Sequence, residues 1–155
     1  MAKSKSKDKD DLALEGLAQI TLSKAHFFLE QANRYQRIRF DFECYVEAAI
    51  LFARNTLDHL YNEYHEKLKS GEFDKFKERF TKLSEENPLI KELIDSRNII
   101  SHQRTMGIVP SKKDVWFLYN SIDEATQEIK DIYRKLPEQL DAVEAIIDEC
   151  EKQFK

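Results

Sequence analysis

The chain has 155 residues, 41% hydrophobic and 35% charged, with 25 basic and 29 acidic side chains giving a net charge of −4. That length suits one domain with a single core, and the longest unbroken apolar run, Ala48–Ala53, is far short of the ~20 residues that span a bilayer. Two cysteines without a CxxC pair exclude a disulfide framework and a thiolate zinc site; no apolar stretch follows the N-terminal lysines as a secretory signal requires, so a cytoplasmic location is expected.

Only three Gly and three Pro interrupt the chain. Val and Thr are rare while Glu, Lys, Leu and Ala abound, so helices are favoured over strands. Met1–Asp10 is a Lys/Ser/Asp tail of low complexity, expected to be disordered, and residues 11–155 form the domain. A first helix is predicted from about Asp11 to Tyr35. A second runs from about Phe40 to Lys69, ended by Gly71, with apolar residues spaced by threes and fours from Val46 to Leu68. Between Cys44 and Ala53 its far side is apolar as well, which places this helix centrally.

A short third helix covers Glu72–Ser84. Asn87-Pro88 reads as an N-cap followed by proline at the first helical position, opening a fourth helix to about Ser101. Gln103–Pro110 is the predicted loop. Ser111 and Asp114 form a capping box for a long last helix whose seam runs Val115, Leu118, Ile122, Ala125, Ile129, Ile132, Leu136. A kink or break is expected at Pro137. The predicted fold is all-α: an up-and-down bundle of about five helices.

Charge is unevenly spread. Ser96–Lys113 contains no acid but carries Arg97, Arg104, Lys112 and Lys113, and the acid-free stretch Gln31–Phe40 carries Arg34, Arg37 and Arg39. Two local cationic segments on an acidic chain suit a defined anionic ligand better than a long polyanion.

The fourth helix carries an anomaly. Its apolar stripe runs Ile90, Leu93, Ile94 and Ile100, yet the next position after Ile94 is Arg97. A guanidinium on a buried face is costly unless it is paired or turned towards a ligand. The structural alternative is an ion pair with Glu47 or Asp58 of the second helix, and such pairs imitate active sites.

The segment Ser96-Arg97-Asn98-Ile99-Ile100-Ser101-His102 resembles the signature of the HEPN superfamily, an all-α group whose motif is Arg, four to six residues, then His. The order of elements is also similar: two long helices, a short one, the motif helix and a closing helix, over most of residues 11–135. The resemblance implies metal-independent RNA cleavage with no cofactor, and a toxin or defence role. It further implies a homodimer with the site at its two-fold interface, and an antitoxin or nucleotidyltransferase as partner. In that reading His102 is the acid/base, Arg97 holds the phosphate and Asn98 orients the phosphate or the imidazole. Glu47 and Asp58 support Arg97, and Arg104 adds a phosphate contact. The alternatives are a non-catalytic nucleotide- or partner-binding module of the same fold and a structural interaction protein.

Arg54-Asn55-Thr56-Leu57-Asp58-His59 also fits the pattern, but mid-helix. Five residues rotate a helix through ~140°, pointing Arg and His apart. The Arg97 copy is preferred because its helix is expected to end just before Gln103, freeing His102 to turn back.

Overall fold

On the first helix alanine recurs every seven residues, at Ala18, Ala25 and Ala32, and all three are no more than 1% exposed. That spacing lets a second helix approach closely along the whole length. The computed structural model describes residues 16–105 and 112–154, with side chains at 16–96, 127 and 129–154. Five helices and no strand occur among the described residues: α1 Leu17–Arg34, α2 Arg39–Lys67, α3 Ser70–Glu85, α4 Pro88–Thr105 and α5 Lys112–Gln153. The all-α bundle expected from the sequence is the fold observed.

The α1–α2 pair is the most extensive contact, and its register is heptad. Thr21 meets His59 through a 2.8 Å hydrogen bond, Phe28 stacks on Phe52 with centroids 5.4 Å apart, and Tyr35 lies against Tyr45 at 5.6 Å. Each step of seven up α1 is a step of seven down α2, which is an antiparallel hairpin with alanines between its anchors. Both α2 and α5 contact every other helix. Phe42, Val46, Ala49, Ile50, Ala53, Leu57, Leu60 and Tyr64 of α2 are buried, which gives that helix the central place its sequence predicts.

Helix α3 is attached by one fully buried side chain, Phe76, set among Tyr64 at 4.6 Å and Phe154 at 5.5 Å between ring centroids. Arg79 adds an ion pair to Glu149 of α5 at 3.1 Å. At the start of α4 the Leu89 N–H donates to Asn87 Oδ1 at 3.0 Å, so the Asn87-Pro88 cap forms as the sequence predicts. Ile90 and Leu93 bury against the core at 0% exposure.

Several boundaries differ from expectation. Gly71 does not end α2. The chain reverses through extended Leu68 (φ −95°, ψ 145°) and Lys69 (φ −72°, ψ 159°), and Gly71 sits in the first turn of α3. No described residue has positive φ, so no turn here requires glycine. Helix α4 continues to Thr105 rather than stopping near Ser101, because nothing before Gly107 breaks it. Helix α5 passes through Pro137 without interruption. Pro137 is exposed between buried Leu136 and buried Gln139 and Leu140, so its ring lies on the solvent side while packing holds the helix before and after it. The tail, the Asp11–Glu15 part of the first predicted helix and the Met106–Ser111 stretch lie outside the described residues.

Candidate functional site

Packing sets α4 between α2, α3 and α5. The side chains of Arg97, Asn98, His102 and Arg104 lie outside the described residues, but their backbone is helical and the register follows from that. Position 97 falls four residues after Leu93 and seven after Ile90, on the line of those two buried residues. Position 104 repeats it two turns on. Positions 98 and 102 share another line one turn apart, and His102 is about 180° from Leu93. Arg97 and His102 are therefore ~140° apart on one unbroken helix. The expectation that the helix ends before Gln103 and lets His102 turn back is corrected: three more helical residues follow His102. Both copies of the motif lie within continuous helices, so helix ends do not distinguish them.

The side chains of the α2 copy are described, and they are engaged. In the α2 copy, Arg54 pairs with Asp58 of the next turn at 3.1 Å. The Thr21 hydroxyl donates to the Leu17 carbonyl at 2.7 Å, so it accepts from His59, whose Nδ1 carries the hydrogen in their 2.8 Å contact. His59 is thereby committed to joining α1 and α2. Asn55 is exposed. Of the two supporting acids, Asp58 has a side chain 54% exposed and already bridged to Arg54. Glu47 is half-buried on α2 with Oε1 shielded from solvent.

Burial pushes the Cys150 thiol up to about 12, reinforced by neighbouring Glu149; Cys150 is 1% exposed and is a core residue rather than a nucleophile. His65 is exposed and packs edge-on against Phe73 at 4.8 Å, and His26 is exposed. The side chains of Trp116, Phe117 and Tyr119 lie outside the described residues. Among the described residues no group of three His, Cys, Asp or Glu side chains could hold a metal ion, and no helix is long and apolar enough to cross a membrane. Sequence reasoning marked Arg34, Arg37 and Arg39 as cationic but not the concavity their turn borders; the alternation of Arg with Tyr35, Ile38 and Phe40 is the signal that points to it.

Comparison of the chain with protein-family models, curated proteins and solved structures gave no match.

Proposed function

We propose that this chain is a HEPN-like, metal-independent endoribonuclease acting as a toxin or defence effector. The observation that supports this most is the place of Arg97-Asn98-x3-His102 on α4, where Arg97 occupies the register line of the buried Ile90 and Leu93. A cation kept on that line suits a bound anion. In the reaction, the ribose 2′-hydroxyl attacks the adjacent phosphorus and loses its proton to a base. The bond to the 5′-oxygen breaks, that oxygen takes a proton from an acid, and a 2′,3′-cyclic phosphate remains. Imidazole serves either role near neutral pH. Arg97 offsets the charge that grows on the phosphate, Asn98 orients it, and Arg104, on the Arg97 line, extends the anion contact.

With positions 97 and 102 ~140° apart on one helix, a single copy of α4 does not carry both on one face. A homodimer that brings two copies of α4 together across a two-fold axis supplies an Arg and a His from different copies, and with them an acid and a base. The continuity of α4 past His102 favours the second reading, a module that holds a nucleotide or partner without cutting. Incubation of the protein with tRNA in EDTA separates the two. Fragments ending in cyclic phosphate are the expected result, and intact RNA across a range of substrates contradicts it.

A further inference from the structure

The turn between α1 and α2 borders a half-open surface concavity of about 470 Å³ lined by Asn33, Arg34, Tyr35, Gln36, Arg37 and Ile38. That volume is within the range of small-ligand sites, ~300–1,000 Å³. Its walls are held in place. Gln36 Nε2 donates to Asn33 Oδ1 at 2.7 Å, and the Tyr133 hydroxyl of α5 donates to the same oxygen at 2.9 Å. The Tyr35 ring rests against Tyr45 and remains 37% exposed, an aromatic surface already fixed before any ligand arrives. Two arginines, Arg34 and Arg37, line the concavity, and Arg39 follows it in the chain; the three are in unequal states. Arg39 is engaged with Glu43 at 3.6 Å, and Arg34 with Glu30 in an exposed pair at 2.9 Å. Arg37 makes no ion pair or side-chain hydrogen bond among the described residues.

We infer that this turn is a binding subsite for one nucleotide of a single RNA strand, with the base stacked on Tyr35 and the phosphate held by Arg37. Arg34 assists, since an exposed ion pair exchanges a carboxylate for a phosphate at little cost. Aromatic stacking beside an arginine is how proteins hold single strands without reading their sequence. The exposed Ile38 and Phe40, each 52% accessible, would also suit a lipid surface. The concave shape, with Arg37 unpaired among the described residues and an exposed ring in the same lining, favours a base and its phosphate. The subsite rests on the RNA reading for the identity of its ligand, and it lies on a different pair of helices from Arg97 and His102.

The test is fluorescence anisotropy with a labelled oligouridylate, using the full chain carrying His102→Ala so that the probe survives. Adding Tyr35→Ala should weaken binding by roughly 5- to 100-fold, while Tyr35→Phe keeps the stacking ring and retains affinity. Adding Arg37→Ala should lower the slope of affinity against salt by about one phosphate contact. Arg37 is exposed, so its variant should keep the melting temperature. Tyr35→Ala also loses the contact with Tyr45, so circular dichroism and melting at the assay temperature show that it remains folded, and Tyr35→Phe keeps that contact. Equal affinity in all variants overturns the subsite, as does a protein that binds no oligouridylate. Binding to vesicles of phosphatidylcholine and phosphatidylserine that is lost in the same variants, without RNA binding, also overturns it. Cleavage by the wild-type chain with variant-insensitive binding rejects the turn and leaves the ribonuclease standing. Turn-dependent binding without cleavage does the reverse.

Discussion

Two buried groups, Thr21 and Cys150, show how residue chemistry divides structural from reactive groups in this chain. Thr21 spends its one hydrogen on Leu17, which fixes the His59 hydrogen on Nδ1 and makes that imidazole part of a hairpin. Cys150 keeps its proton because burial disfavours the thiolate, and its thiol lies at about 12 against an ordinary 9.0. In the folded protein at pH 8, iodoacetamide should therefore modify the half-buried Cys44 first and reach Cys150 only on unfolding, as peptide mapping would show. The sign for stability follows. Between about pH 9 and 12 the unfolded chain releases a proton that the folded chain retains, so this contribution is full below 9 and falls as pH rises. Urea midpoints at pH 8 and pH 11 should differ in that direction; an unchanged or higher midpoint at pH 11 would contradict it.

At the scale of elements, the α1–α2 hairpin depends on the small residues between its anchors. Ala25→Leu inserts a branched side chain where exposure is 0%. It should cost at least ~1–3 kcal/mol, whereas the same change at exposed Ser23 should be near neutral; equal effects on the two melting temperatures would reject the close-packed seam. Helix α3 depends on Phe76, and Phe76→Ala should cost about 3–5 kcal/mol and expose α3 amides to hydrogen exchange before those of α2. Helix starts were legible where the sequence carries its own cap. Asn87-Pro88 was read correctly because one side chain both names and satisfies the free N–H. The end of α4 was not legible, since Ser101, His102 and Gln103 tolerate helix and the first true breaker is Gly107. Of the kink or break expected at Pro137, the break is absent: the helix runs on through it, with buried residues on either side and a solvent-facing ring. The alanine heptad was visible in the sequence, yet its meaning depends on α2 supplying the complementary partner positions.

For the whole molecule, the candidate site was legible as a motif and not as a geometry. Spacing picks out two Arg/His pairs, Arg97/His102 and Arg54/His59; only the length of α4 puts positions 97 and 102 ~140° apart in register. That separation is why the account requires a second copy. Light scattering at micromolar concentration should give twice the monomer mass, and an active monomer would contradict the shared site.

RNA cleavage is proposed to reside on α4, with the copy of the motif on α2 structural. Cleavage rate and melting temperature measured side by side for His102→Ala, Arg97→Ala and His59→Ala test it directly. The first two should lose ~10²–10⁴-fold in rate with little change in melting temperature. His59→Ala should keep its rate and lose about 1 kcal/mol of stability, because the Thr21 contact goes with it. Loss of cleavage in His59→Ala with retention in His102→Ala would place the chemistry on α2, and wild-type rates in all three would remove the motif from the reaction altogether.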